Sequence, residues 1–330
     1  MYSSDKNRLQ YGFYGRLKPD FPSQVIIDTT ELCNLACIHC PHSAFEKSKY
    51  YSGACLSPDL NAKAIDEVRN HGKGITQYIR YSGEGETLLN RHFIAMLDYA
   101  VKQSGGVQVT ISTNGLLLDD DRIRRILATG VHVIDISIDA YSPDVYQRIR
   151  RRGELNQVRT NTQNLININK MNEARAKIVV SYVEQPINTH ETQLFESYWK
   201  CQGADYVVIR RMHSAAGAVA DVAEGMRIQE AGVQRRPCVY PWERIVLNPR
   251  GHLAFCPADW THGSTLLDYN KTTIKDLWQS DQYRQLRNAH LTNDFHEFPF
   301  CGQCPDWKLV RWPEEGRSYA DMIEEFTRLK

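Results

Sequence analysis

The sequence lacks the features that mark membrane-spanning, secreted or strongly charged proteins. None of its apolar runs approaches the ~18 residues needed to cross a bilayer. The start of the chain, Met1 to Asn7, has no apolar core that could act as a secretory signal. Its 40 basic and 39 acidic residues give a net charge of +1, which offers no general reason to expect a nucleic-acid or membrane partner. We therefore expect a cytoplasmic protein that binds neither.

Internal repeats and low-complexity tracts are also missing, whereas cysteine is frequent, with nine residues in a chain of 330. Because the cytosol keeps thiols reduced, this number favours metal binding or catalysis over disulfides. The length fits one large α/β domain, or a large domain followed by a small one.

Short β-type runs alternate with amphipathic segments over the first two thirds of the chain. The predicted strands are 25–29, 76–81, 107–112, 133–138, 177–183 and 206–210. The predicted helices are 61–70, 91–103, 120–128, 155–171 and 191–200. This alternation predicts a parallel sheet with crossover helices, as an open sheet or a partial barrel. In both, the chemistry gathers at the carboxyl ends of the strands.

The rest of the chain reads differently. Residues 1–22 form an N-terminal extension, 23–214 the first domain, and 215–234 an alanine- and glycine-rich linker. Residues 235–330 show little strand–helix alternation and contain clustered cysteines. A small region with few core residues and clustered cysteines indicates a module that is stabilised by a bound metal.

The first cysteine set, Cys33, Cys37 and Cys40, directly follows the first predicted strand. Its spacing of three and then two residues lets the loop curl around one metal centre. Three thiolates leave one corner of a four-iron cluster open, as a catalytic metal site requires. Two alternatives stay open: a zinc knuckle with His39 or His42 as fourth ligand, and three unrelated core cysteines.

The second cysteine set is spread over the last third of the chain. Cys238 and Cys256 flank a segment that contains Gly251, and a Cys-x2-Cys pair, Cys301 and Cys304, comes later. Four thiolates can close one metal site. The spacing alone also allows a structural zinc.

The first set resembles the Cys-x3-Cys-x2-Cys signature of the radical S-adenosylmethionine (SAM) superfamily, and the resemblance covers about residues 23–212. It implies an α/β fold, a partial (β/α)6 TIM-type barrel, with a 4Fe–4S cluster on three cysteines and SAM at the open iron. His39 departs from the family, because its position is usually aromatic or large.

The resemblance also implies a set of SAM contacts at the ends of the predicted strands. The segment 82–89 looks like the family's Gly-Gly-Glu segment, which holds the SAM amino group. Polar residues after strands three and four would meet the ribose or methionine part, and one arginine of 148–152 the carboxylate. The implied SAM-binding residues are Gly85, Glu86, Ser112, Asn114, Ser137, Asp139 and Arg150. Ordinary turns and a solvated basic run are the alternative interpretations.

The second set resembles the auxiliary-cluster domain of many radical SAM enzymes, called SPASM in its full form and twitch in its short form. The full form carries further cysteines, and none follows Cys304. The chain therefore looks like the twitch form, with one auxiliary 4Fe–4S cluster on four cysteines. Since four ligands leave no iron open, we expect electron transfer and pocket shaping there, not substrate ligation.

The implied reaction is the one-electron cleavage of SAM to a 5′-deoxyadenosyl radical, which abstracts a hydrogen from a small-molecule substrate. An external donor of the flavodoxin or ferredoxin type would supply the electron. The single-cluster form is similar to 2-deoxy-scyllo-inosamine dehydrogenase and its aminoglycoside-modifying relatives. This implies oxidation or epimerisation of an aminocyclitol or sugar-type molecule in antibiotic biosynthesis.

Several residues are candidates for the substrate step. Cys55 and Cys201 are possible hydrogen-atom donors, which an epimerase needs and a dehydrogenase does not; buried small hydrophobes are the plainer interpretation. Arg210 and its neighbour Arg211 are candidates for a base or an anion clamp. Acidic candidates for an amino sugar are Glu84, Glu243 and Asp259. Two other hypotheses remain: a peptide- or protein-modifying maturase, and a zinc-stabilised binding protein.

Overall fold

The computed structural model describes residues 20–172, 174, 176–230 and 235–310. Most of the predicted N-terminal extension, residues 1–19, lies outside the described residues. The same holds for residues 231–234 of the predicted linker and residues 311–330 of the second module.

A single large sheet organises the molecule. The strands are β1 (Gln24–Ile27), β2 (Ala36–Cys37), β3 (Tyr78–Tyr81), β4 (Gln108–Thr113), β5 (Val133–Ser137), β6 (Arg150–Arg151), β7 (Lys177–Glu184), β8 (Tyr206–Arg211), β9 (Arg244–Leu247), β10 (His252–Ala254) and β11 (Thr265–Asp268). The sheet has the order β11-β10-β9-β1-β3-β4-β5-β7-β8, and β2 pairs with β6 in a separate ribbon. All neighbours from β9 to β8 run parallel, whereas β9, β10 and β11 are antiparallel.

The helices cover the sheet and connect its parallel strands. They are α1 (His42–Phe45), α2 (Pro58–His71), α3 (Phe93–Gln103), α4 (Asp120–Ala128), α5 (Pro143–Ile149), α6 (Leu155–Met171), α7 (Thr192–Gln202), α8 (Ala220–Glu230), α9 (Tyr240–Glu243), α10 (Ile274–Gln279), α11 (Asp281–Thr292) and α12 (Pro299–Gln303). Side-chain caps begin several of them: Ser57 accepts from the Leu60 N–H, and Asp119 from the Arg122 N–H. None of the described helices has the length and apolarity to cross a membrane.

The α/β class and the TIM-type partial barrel are confirmed. All six predicted strands and all five predicted helices are present, with ends shifted by a few residues. The strands could be predicted because parallel strands buried on both faces have continuous runs rich in valine and isoleucine. Ile79, Val109, Ile111 and Ile134, for example, are fully buried.

The second module is joined to the barrel more closely than expected. β9 extends the sheet beside β1, in register from Gln24 opposite Arg244 to Ile27 opposite Leu247. One continuous apolar core includes barrel strands and residues such as Ile274, Trp278 and Tyr283 of α10 and α11. The predicted linker also differs from a plain connection, because its described part contains helix α8.

Candidate functional site

The first cysteine set lies on a loop that leaves β1 and is fastened by the small ribbon. Cys37 stands on β2, directly opposite Arg150 on β6, and the Cys40 N–H donates to the Cys37 carbonyl at 3.2 Å. Burial raises the pKa of Cys33 to about 11, with smaller contributions from Glu86 and Cys37. Burial also raises the pKa of Cys40 to about 12, with contributions from Cys37 and Cys33. Buried thiols that oppose one another's ionisation fit a set of ligands for a positively charged metal centre.

The spacing of the thiols argues against a single zinc ion. Ligands on tetrahedral zinc, with Zn–S bonds of about 2.3 Å, stand roughly 4 Å apart. Among the residues that the structure describes, the one group of three such ligand atoms within 4.8 Å of one another is Glu31, Glu84 and His262, which contains no cysteine. Neither cysteine set therefore presents three sulfur atoms at the close spacing of ligands on one zinc ion.

The two histidines of the zinc alternative have other partners. His42 Nε2 lies 2.7 Å from the Glu31 carbonyl. His39 Nδ1 lies 3.3 Å from the Gln185 side-chain amide, and burial lowers the pKa of His39 to about 4. His39 is therefore a neutral side chain beside the loop at neutral pH.

The Gly-Glu segment after β3 packs directly against the cysteine loop. A Cβ at Gly85 would lie 2.2 Å from the Thr30 carbonyl oxygen and 2.4 Å from that of Leu32, so only glycine fits. The Glu86 carboxylate is buried and accepts from the Thr113 hydroxyl and the Asn114 N–H, each at 2.7 Å. Glu86 thus ties the ends of β3 and β4 together at the cysteine loop. Its predicted contact with SAM stays a prediction.

The other predicted SAM contacts fall into two places. Asn114 lies at the loop, where its side-chain amide donates to Asn34 at 2.7 Å. Ser137 ends β5, and Asp139 follows it, fully buried. Asp139 accepts from Arg150 at 2.6 Å and from the Val183 N–H at 2.7 Å, so this pair is an ion pair beside Cys37.

Ser112 lies apart from these residues, in a charged layer inside the barrel that we call the Arg–Asp–Arg layer. Arg80 on β3 and Arg210 on β8 both donate to the same oxygen of Asp135 on β5, at 3.3 and 2.7 Å. Ser112 and Ser181 bind one guanidinium each, at 2.8 and 3.1 Å. The sequence interpretation missed Arg80 and Asp135, although a charged residue within an otherwise apolar strand was a usable signal.

The second cysteine set converges from three parts of the second module. Cys238 precedes α9, Cys256 follows β10, and Cys301 and Cys304 belong to α12 and its end. Burial raises the pKa of Cys238 to about 12 and the pKa values of Cys256 and Cys301 well above the ordinary value; the neighbouring thiols raise all three further. Cys304 is one of the neighbours that raise these pKa values, so the four thiols form one donor set that again fits a metal centre.

A cavity of about 1060 Å³ lies between the two sets. Cys40 of the first set lines it, and so do all four cysteines of the second set. Cys55 and Cys201 are exposed and do not line this cavity; Cys55 Sγ lies 3.2 Å from the Thr30 hydroxyl. The structure therefore brings Cys40 of the first set and the whole second set to one space and leaves the two spare cysteines outside it.

The three acidic residues that were candidates for binding an amino sugar either bind other protein groups or lie in a separate recess. Glu243 pairs with Arg244 at 2.5 Å. Asp259 accepts from its own loop, including the Ser264 N–H at 2.6 Å. Glu84 lies in a separate small recess beside Asp28, where burial raises its pKa.

Comparison with known proteins agrees with this geometry. Residues 27–179 match the radical SAM superfamily, and residues 238–305 match the SPASM iron–sulfur cluster-binding domain. Residues 27–179 therefore form a radical SAM domain, and the second cysteine set lies in a SPASM-type domain. The cofactors of these two domains are SAM and 4Fe–4S clusters.

Curated relatives match only part of their own length. GTP 3′,8-cyclase of Peptoclostridium acidaminophilum is 32% identical over 133 residues, which is 40% of this chain and 39% of the cyclase. Mycofactocin maturase MftC of Mycobacterium tuberculosis is 27% identical over 146 residues, 44% of this chain and 35% of the maturase. The chain thus spans about two fifths of these relatives.

Solved structures share the fold over most of the chain. BtrN in complex with AdoMet and 2-DOIA has a TM-score of 0.59 at 16% identity and covers 86% of this chain and 92% of BtrN. SuiB of Streptococcus suis bound to S-adenosylmethionine has a TM-score of 0.64 at 12% identity, over 98% of this chain and 81% of SuiB. At these identities, the likeness establishes the fold alone.

Proposed function

We propose that the enzyme is a radical SAM dehydrogenase that oxidises a hydroxyl-bearing carbon of a small sugar- or cyclitol-type molecule. One observation carries this proposal: a single cavity is lined by cysteines of both sets and by neither spare cysteine. As part of this proposal, the substrate type is taken from BtrN, a protein of the same fold whose structure holds AdoMet and 2-DOIA. We extend the proposal to a cytoplasmic enzyme of antibiotic biosynthesis that takes its electron from a flavodoxin- or ferredoxin-type donor.

Each cysteine set has a distinct part in this proposal. Cys33, Cys37 and Cys40 would hold the cluster that binds SAM, and Cys238, Cys256, Cys301 and Cys304 the auxiliary cluster. When bound, these groups supply a 5′-deoxyadenosyl radical and an acceptor for one electron. Loss of the hydrogen atom from a secondary carbinol carbon, of the proton from its hydroxyl group and of one electron from the resulting radical yields a ketone. In this proposal the hydrogen atom passes to the 5′-deoxyadenosyl radical, the proton to water and the electron to the auxiliary cluster.

The chain's own residues position the reaction. The ion pair of Arg150 with Asp139 fixes the ribbon that holds Cys37. Glu86 joins the segment after β3 to the end of β4 beside the first cysteine loop. Fixed groups of this kind orient the reactants and exclude water.

Epimerisation is the weaker alternative because of where the thiols lie. It requires a hydrogen atom to be returned to the substrate radical, and a cysteine thiol is the donor that the sequence suggested. Cys55 and Cys201 lie outside the cavity, and the cysteines inside it belong to the two metal-binding sets. Oxidation needs no such donor.

The test is product analysis on anaerobically reconstituted enzyme, with about eight irons per chain expected for two four-iron clusters. The enzyme is incubated with SAM, dithionite and a panel of sugars, cyclitols and peptides. We expect 5′-deoxyadenosine and a product lighter by two hydrogens from a sugar or cyclitol. An unchanged substrate mass would indicate epimerisation. A modified peptide would favour a maturase, which is the second candidate function; the cavity size and the likeness to SuiB support it.

Variants separate the two cysteine sets. Cys33→Ala should abolish 5′-deoxyadenosine formation, and Cys301→Ala should retain it while losing the oxidised product. Cys201→Ala, an exposed position on α7, is the matched control. Zinc in place of iron, or equal 5′-deoxyadenosine formation by Cys33→Ala and wild type, would contradict the proposal.

A further inference from the structure

The large cavity is unusually basic. Seven arginine and lysine side chains line it, against two carboxylates, Glu184 and Asp306. A cleft lined by one sign of charge concentrates ligands of the opposite sign.

Part of this positive charge belongs to the clusters and to local pairs. Arg235 lies beside Cys301 and donates to its carbonyl at 2.5 Å, and Arg244 lies beside Cys238. Arg211 stands opposite Glu184 in the register of β7 and β8, so these two side chains add no net charge. We leave these arginines out of the argument.

The Arg–Asp–Arg layer keeps an excess of positive charge at the barrel side of the cavity. Arg80 and Arg210 both line the cavity, and they share one carboxylate, Asp135, whose side chain is 1% exposed. The Ser112 and Ser181 hydroxyl oxygens accept hydrogen bonds from Arg80 and Arg210 and help to hold the two guanidinium groups in place. Two rigid guanidinium groups with one buried carboxylate carry a net positive charge, and their planar donors suit oxyanions.

We propose that the substrate is anionic and that Arg80 and Arg210 bind its phosphate or carboxylate group. This inference rests on the proposed function and narrows its substrate class. It also disfavours a cationic aminocyclitol as the substrate. The acidic residues that were expected to bind an amine either pair with other protein groups or lie outside the large cavity.

Binding to the SAM-loaded holoenzyme without reductant tests the inference independently of turnover. Isothermal titration calorimetry compares glucose 6-phosphate, glucuronate, glucose and glucosamine. We expect at least one of the two anionic probes to bind about tenfold or more tightly than glucose and glucosamine, and affinity to fall with added salt. Preference for glucose 6-phosphate over glucuronate would identify phosphate as the group. Failure of both anions to exceed glucosamine would overturn the inference.

Variants distinguish anion binding from a structural role. Arg210→Gln and Arg80→Gln should weaken binding of the preferred anion about tenfold to hundredfold and leave binding of glucose unchanged. Arg210→Lys should restore part of the affinity, and Arg124→Gln on the exposed face of α4 is the matched control. Equal losses for anion and glucose would indicate a structural role and overturn the inference. If the variants do not fold, the probe comparison on wild type decides.

The two proposals fail in different ways. A cationic aminocyclitol that loses two hydrogens would sustain the dehydrogenase and refute the anionic substrate. An anionic substrate that binds tightly but keeps its mass would refute the dehydrogenase and sustain the anion site.

Discussion

Replacing Arg150 tests whether the ion pair beside Cys37 stabilises this end of the barrel. Arg150 donates to Asp139 from Nη2 at 2.6 Å and from Nε at 2.8 Å, and the two side chains are 8% and 0% exposed. At an effective dielectric constant of about 20, unit charges at such a distance attract by roughly 6 kcal/mol. Desolvation cancels much of this gain, at several kcal/mol per ion. The net contribution of the pair is therefore small, but removing one partner leaves a buried charge uncompensated.

Arg150→Gln should lower the free energy of unfolding by about 3–5 kcal/mol, and Asp139→Asn by a similar amount. The double variant should lose less than the sum, with a coupling energy of about 2 kcal/mol or more. Asparagine is a suitable replacement because Asp139 has a φ of 66°, which asparagine tolerates. The backbone therefore adds little to the measured loss.

Anaerobic urea unfolding of the reconstituted protein, followed by tryptophan fluorescence and circular dichroism, measures these energies. Arg124→Gln, at an exposed position of α4, controls for the loss of an arginine as such. Strictly additive losses, or an Arg150→Gln variant within about 0.5 kcal/mol of wild type, would refute the reasoning.

Three further predictions concern other residues. Cys55→Ala and Cys201→Ala should retain product formation, and loss of product with normal 5′-deoxyadenosine in either variant would point to epimerisation. Burial is the main cause that raises the pKa of Glu84 above 4.5, so the stability of the fold should fall as pH rises above that value. Glu84→Gln should therefore flatten the dependence of the unfolding temperature on pH. An unchanged slope would contradict this. Arg250→Gln breaks a 2.7 Å ion pair with Glu31 and should cost about 1–3 kcal/mol at neutral pH. Because the pKa of Glu31 is lowered in the fold, this deficit should shrink as pH falls below 4.5, and a constant deficit in urea unfolding would exclude the ion pair as its cause.

The barrel was predictable because its local patterns agree with its tertiary structure. Runs such as 133–138 are apolar enough to be buried on both faces, and the helices between them carry one apolar face. The cysteine spacing likewise predicted two convergent sets, and the structure gathers the thiols of each.

The attachment of the second module could not be predicted in the same way. β9 is only four residues long, and its partner β1 is more than 200 positions earlier in the chain. No local pattern specifies a pairing at that separation. The sequence was therefore interpreted as a barrel, a linker and a separate module.

The charged residues inside the barrel show a second limit of what could be predicted from the sequence. Arg80 and Asp135 were visible within predicted strands, but their partnership depends on the curvature that brings β3, β5 and β8 to one space. Spacing also did not indicate that Cys55 and Cys201 lie outside the cavity. Long-range contacts decide both features.

The hydrogen bonding of β9 to β1 sets how the enzyme can move and how it can be divided. β1 leads directly into the first cysteine loop, and β9 belongs to the module that carries the second set, so the described strands connect the two sets through one hydrogen-bonded sheet. In the proposed reaction, the separation between the two cysteine sets is then held by the pairing of β1 with β9. Cutting the chain before residue 235 would turn β1 into a bare edge strand and invite intermolecular pairing at the loop on which the chemistry depends.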